Sequence, residues 1–169
     1  MKNKRLNLLS IVLLCVMLFI MYGTNIGVPG ITQYWSGFKL FDMQLLYSVD
    51  TFKETLSKIG MDGIRHYLYY FAVDFGFILT LFWVQYEITE SVTKGKQFQC
   101  KIILVFAMMR GLLDIVEDIL LALLLKEKIS VTVVPIASFI TSLKFCCLFG
   151  WIILVLFLAI RNRKKEHST

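Results

Sequence analysis

The chain has 169 residues, enough for one domain, and 57% of them are hydrophobic while only 18% are charged. Two prolines and ten glycines exclude long disordered or collagen-like tracts. Lys and Arg number 18 against 12 Asp and Glu, a net charge of +6; the bases flank apolar runs and are not interleaved with aromatics, which excludes a nucleic-acid binder and describes an all-α integral membrane protein.

Lys2, Lys4 and Arg5 precede a first predicted span over 6–26. Its apolar run exceeds the roughly 7–15 residues of a signal-peptide core and lacks a small-x-small cleavage site, so a retained helix is expected. Gly23, Gly27, Pro29 and Gly30 end it.

The outer segment 31–61 is the longest polar stretch. Thr51-Phe-Lys-Glu54 matches a capping box, and Phe52, Leu56 and Ile59 share one face of a short amphipathic helix that Gly60 closes. With Trp35, Phe38, Phe41 and Tyr47, this segment is expected to lie at the outer membrane interface, packed as a cap over the helices or not.

Asp62 stands where it can cap a second span, 64–88, with Arg65 and His66 near its start and Tyr67, Tyr69 and Tyr70 read as an interfacial aromatic belt. A polar turn over 90–99 leads to a third span, 101–125, ended by Lys126, Glu127 and Lys128. Pro135 opens a fourth, 135–160, and the tail 161–169 is basic. Each span has about the 20 residues needed to cross a hydrocarbon core. Four spans put both termini on one side, with ten bases there against six on the other, so a multi-pass cell-membrane protein with cytoplasmic termini is expected. No inverted repeat of broken helices is visible.

Among the cysteines, Cys15, Cys146 and Cys147 lie in apolar runs and Cys100 beside Lys101; there is no C-x-x-C, so neither a disulfide framework nor the redox chemistry of a vitamin-K-reductase type of bundle is expected. The first three read as small buried apolar residues. Two histidines, His66 and His167, and no H-E-x-x-H argue against a metal site, and the absence of G-x-G-x-x-G, a P-loop and G-x-S-x-G leaves no cofactor indicated.

Six ionisable residues lie inside the apolar spans: Asp74, Arg110, Asp114, Glu117, Asp118 and Lys144. One charge at mid-membrane costs about 2.5–3.5 kcal/mol on insertion scales, so these are expected to face the interior and one another. Arg110, Asp114, Glu117 and Asp118 follow at spacings of four, three and one, which places them on one helical face. At about 1.5 Å rise per residue, Asp74, Glu117, Asp118 and Lys144 all fall about 12–15 Å from the outer helix ends. Lys144 is therefore expected to bridge carboxylates of the second and third helices, and Arg110, about 24 Å from that end, to reach toward the cytoplasmic face or Asp114. Four carboxylates face two bases, so at least one is expected to hold a proton.

Two stretches carry a resemblance: Leu56-Ser-Lys-Ile-Gly-Met-Asp-Gly-Ile-Arg-His-Tyr67 followed by Asp74, and Leu113-Asp-Ile-Val-Glu-Asp118 with Lys144 downstream. They resemble a loose family of small prokaryotic four-span membrane proteins, which carry a Gly-Arg stretch leading into the second helix, an Asp within it, an Asp-x-x-Glu-Asn in the third and a Lys in the fourth. Here Asp118 stands for the Asn, and Ile64 separates Gly63 from Arg65. The resemblance implies the shared polar level and no particular activity.

The expectation is thus a four-helix transmembrane bundle with a short amphipathic helix in the first outer loop. Its role is read as an accessory protein binding membrane lipids, another membrane protein or a second copy, through Asp74, Arg110, Asp114, Glu117, Asp118 and Lys144. The alternatives are an intramembrane enzyme on a lipid substrate, with one carboxylate as general acid or base, and a small proton-coupled carrier.

Overall fold

In the computed structural model, residues 7–94 and 96–166 are described, the last three without side chains, and no strand occurs among them. Helix α1 is Leu8–Gly23, a short α2 is Val28–Thr32, α3 is Val49–Thr93, α4 is Gln97–Leu125 and α5 is Val134–Glu166. Single 3-10 turns occupy Phe41–Met43 and Val131–Val133. The architecture is all-helical. Helices α3, α4 and α5 touch one another, and α1 lies along α3.

The helix starts follow from capping chemistry. Asn7 opens α1 by accepting the Leu9 amide. Ser48, not Thr51, opens α3: its hydroxyl accepts the Thr51 amide at 3.1 Å, and Glu54 receives Lys58 at 2.6 Å instead of reaching back to a cap. Serine at 48 is an equally good cap three residues earlier, so the helix starts there. The amphipathic face is as expected: Phe52 and Ile59 are buried and Leu56 packs on them. Gly60, at φ 64° and ψ −175°, bends the chain, yet α3 resumes at once. The expected interfacial helix and second span are therefore one bent element, because a single residue of positive φ turns the axis without a loop. Asp62 does not cap a separate helix; it faces Arg65 at 3.8 Å within α3.

Two apolar clusters hold the molecule together. One, at the loop end, joins Ile31, Phe38, Phe41, Tyr47 and Phe52 to Tyr67, Leu121 and Val134. The other, at the termini end, joins Ile103 and Ala107 of α4 to Trp151, Val155 and Leu158 of α5. Residues 33–48 are thus a cap folded into the loop end of the helices. Gly27 permits the tight turn before it, since a Cβ there would fall 2.0 Å from the Met21 carbonyl oxygen.

Three segments, Leu8–Thr32, Val49–Thr93 and Val131–Arg163, are helical, long and apolar enough to cross a membrane. Most of the side chains they expose are apolar, as on α5, where Phe139, Phe149, Ile153 and Phe157 point outward. That explains a departure from expectation: Cys15 and Cys146 are exposed and Cys147 half-buried, not core residues. All four cysteines are free. Helix α5 also runs beyond 160, carrying part of the basic tail as helix; 167–169 lie outside the described residues.

Candidate functional site

Helical periodicity delivers the α4 charges inward. Arg110, Asp114, Glu117 and Asp118 are 7%, 2%, 0% and 8% exposed, while Met109, Leu112, Val116 and Ile119 between them face out. Asp74 of α3 and Lys144 of α5 are equally buried. All six expected residues belong to one polar core: Asp74, Glu117, Asp118 and Lys144 are the four for which helical rise implied a common level, and Arg110, expected farther toward the cytoplasmic face, joins them through Asp114.

The pairing is specific. Lys144 Nζ contacts Asp114 Oδ1 at 2.6 Å and Glu117 Oε2 at 2.7 Å. Arg110 Nη2 reaches the other Asp114 oxygen at 2.5 Å, and its guanidinium lies over the Phe77 ring. Thr141 donates its hydroxyl to Glu117 Oε1. Asp114 is therefore clamped by two cations and Glu117 by a cation and a hydroxyl. Lys144 spends its contacts on α4 alone, which corrects the expected bridge to the second helix. Asp74 instead lies within hydrogen-bonding reach of Asp118. Asp74 Oδ2 and Asp118 Oδ1 have no hydrogen-bond partner.

The sequence reading missed three contributors. Asp42, in the cap, is 2% exposed and accepts the hydroxyls of Tyr67 at 3.2 Å and Tyr70 at 3.3 Å. Burial pushes its carboxyl above the ordinary carboxylate range, against the opposing pull of Lys144 and of hydrogen bonds from its own backbone amide and Tyr67. Tyr67 and Tyr70 are not an interfacial belt. They are fully buried on the face that carries Asp74, at spacings of three and four, and only Tyr69 points out. The spacing was the available signal; Asp42 had none, because a loop has no period. The cap is tied down beside this site by the Tyr47 amide on the Ser138 hydroxyl at 3.0 Å and by Ser142 donating to the Leu45 carbonyl.

Toward the termini end the polar groups serve packing. Trp151 donates to Thr89 at 3.0 Å, and Glu87 accepts the Asn7 amide and the Ser10 hydroxyl, fastening α1 to α3. Gln85, 1% exposed, has neither amide atom partnered. His66 contacts the Asn25 carbonyl at 3.1 Å and stands apart from the core.

Beside Asp118 the surface opens into an apolar groove of about 300 Å³ between α3 and α4. Phe71, Phe75, Ile115 and Ile119 form its walls, and Asp118 is the one charged residue in its lining. Among the described residues no group of three or more His, Cys, Asp or Glu is placed to hold a metal ion. The geometry thus offers a clamped ion cluster on the α4–α5 side and, on the α3–α4 side, a pair of buried acids beside an apolar groove. No protein-family model, no curated protein and no solved structure matches this chain.

Proposed function

We propose that the chain is a four-span integral membrane protein of the cell membrane, with both termini cytoplasmic, whose polar core binds a membrane-borne ligand. Helix α4 is too charged to count as a span by composition. However, its charges face inward and its outer face is Ile102, Val105, Met109, Leu112, Val116 and Ile119, a surface suited to lipid. At 29 residues it is about 43 Å long, enough to cross. The bias of bases toward the termini end supports the orientation. The resemblance to small four-span membrane proteins points the same way.

One observation carries the binding role: on the α3–α4 side, buried carboxyl oxygens of Asp74 and Asp118 lack partners. Buried polar atoms are normally satisfied, and an unsatisfied one costs about 1–3 kcal/mol; Tyr47, Gln85 and Arg110 keep such atoms too, but at Asp74 and Asp118 two of them belong to acids that face each other across a helix seam with no base beside them, the arrangement read here as completed by a ligand. An enzyme or carrier also needs water at its carboxyls, whereas Asp42, Asp74, Asp114, Glu117 and Asp118 are all at most 8% exposed.

Native mass spectrometry of the protein released from mild detergent tests this. The expected spectrum shows wild type with a retained lipid or membrane polypeptide that Asp118→Asn loses. A bare wild-type polypeptide overturns the binding role.

A further inference from the structure

We propose that residues 40–47 form a re-entrant segment, which dips into the outer leaflet between the helices and lays Met43, Leu45 and Leu46 against phospholipid acyl chains. The proposal rests on α5 crossing the membrane and is independent of the ligand role.

Depth follows from α5. Arg65 on α3 and Lys126 and Lys128 after α4 mark the outer end of the helices with charge. Inward of them α5 exposes Ile136, Phe139 and Leu143 in succession. The chain between α2 and α3 does not stay above that level. The Tyr47 amide donates to the Ser138 hydroxyl at 3.0 Å, and Ser142 donates to the Leu45 carbonyl. Those serines lie four and eight residues inward from Val134, where α5 begins, about 6 and 12 Å at helical rise. The 3-10 turn Phe41–Met43 touches both α4 and α5. The segment is therefore wedged between the helices and not laid across their ends.

Its hydrogen bonding suits hydrocarbon. Irregular backbone persists at membrane depth only where its polar groups are satisfied without water. The Phe41 amide takes the Tyr67 hydroxyl at 2.9 Å, and the Asp42 amide takes its own carboxylate. The amides of Met43 and Gln44 close onto the carbonyls of Leu40 and Phe41. Gln44 folds its side-chain amide back onto the carbonyls of Lys39 and Leu40 at 3.1 and 3.3 Å. The side chains agree. Between Lys39 and Asp50 the one charged residue is Asp42, turned inward at 2% exposed, while Leu46 is 82% exposed and Leu45 and Met43 more than half. Large apolar side chains held outward on a short loop gain about 25 cal/mol per Å² when taken out of water. Phe139 and Leu143, next to the two serines, continue the same apolar surface, so the bilayer that covers α5 covers this segment too.

The test places a nitroxide on Leu46→Cys in a cysteine-free chain held in phosphatidylcholine nanodiscs, with Phe139→Cys, Phe149→Cys and the exposed Lys53→Cys as references. Collisions with oxygen and with a water-soluble nickel chelate are compared by power-saturation EPR. The polar chelate is kept out of hydrocarbon, and oxygen is not. The oxygen-to-nickel ratio at 46 is expected to match that at 139 and to exceed that at 53 by about tenfold or more. Leu45→Cys gives the same reading should Leu46→Cys fail to fold. Should the cysteine-free chain fail, Leu46→p-benzoylphenylalanine in the chain with its cysteines intact is expected to photocrosslink to phospholipid. A ratio at 46 equal to that at 53, with 139 and 149 shielded, overturns the proposal and leaves the spans standing. Nickel access at 139 and 149 as well overturns the spanning reading with it. Crosslinking to a polypeptide in place of phospholipid overturns the acyl-chain contact in favour of a partner protein.

Discussion

Asp114 and Asp118 sit one turn apart on the same helix, equally buried, and lead opposite lives. Asp114 takes Arg110 on one oxygen and Lys144 on the other. Asp118 meets only another acid, Asp74, and leaves an oxygen free beside a groove. In the α4–α5 cluster each charge is answered by an opposite one, although Arg110 Nη1 has no hydrogen-bond partner. At the α3–α4 seam the two acids meet no base. Buried ion pairs are costly to assemble and costly to break, so a saturated cluster fixes how two helices register. An unsaturated acid fixes nothing and is retained at a cost. The difference separates the charges that hold the bundle from the charges that wait for something.

The sharpest way to break this comparison is Lys144→Met. It strips Asp114 of one cation and Glu117 of its only one, and removing one partner of a buried pair costs about 3–5 kcal/mol. The expected result is the largest loss of Tm in detergent of any single core variant. Adding Glu117→Gln should restore part of the loss, because the stranded charge is gone. Adding Asp118→Asn should change nothing beyond its own effect, since Asp118 makes no contact with Lys144. Coupling between Lys144 and Asp118 in that double-mutant cycle would merge the two seams into one network.

Thr141→Val comes next. It removes the hydroxyl on Glu117 while leaving Lys144 in place. The expected loss is about 0.6–1.7 kcal/mol, the range for interhelical hydrogen bonds in membranes. A loss as large as that of Lys144→Met would mean that the hydroxyl, not the cation, organises the seam.

Much of this was legible in the sequence, for reasons that particular residues show. Rise per residue placed Asp74, Glu117, Asp118 and Lys144 at one depth, and spacing put the α4 charges on one face. Which acid meets which base was not legible, because depth says nothing about how far each helix is rotated about its own axis. Lys144 turned to α4 and Asp74 to Asp118 on that account. Hydropathy also loses its usual meaning in these segments. Cys15 and Cys146 are apolar-run residues that face out, since lipid accepts them as readily as a core does. Asp42 was invisible because the cap has no periodicity, and its place depends on tertiary bonds to Tyr67 and Tyr70.

Asp42 adds a smaller, pH-dependent contrast. Its folded pKa is raised by burial above an unfolded value near 3.9, so the folded state binds the proton more tightly. The stability this group contributes is complete below about pH 4 and is lost as pH rises toward the folded value. Asp42→Asn should therefore flatten the decline of Tm with pH from about pH 4 upward. An identical slope in the variant would show that the cap's acid is as charged in the fold as out of it.

The smallest stability effect is expected where the functional effect is largest. In Asp118→Asn an amide replaces a carboxyl that touches no cation, and its Nδ2 can donate to Asp74, giving that acid a donor that carries no charge. The contact between α3 and α4 is kept and no base is stranded. Tm should move by no more than about 0.5 kcal/mol of equivalent stability, in either direction. The same substitution should lose the ligand that the polar core is proposed to retain. A residue held for packing would show the reverse, a large loss of Tm with ligand retention unchanged. Measuring both quantities on the one variant separates a carboxyl kept for binding from a carboxyl kept for the fold, and on adjacent turns of α4 the same pair of measurements on Asp114→Asn should come out the other way round.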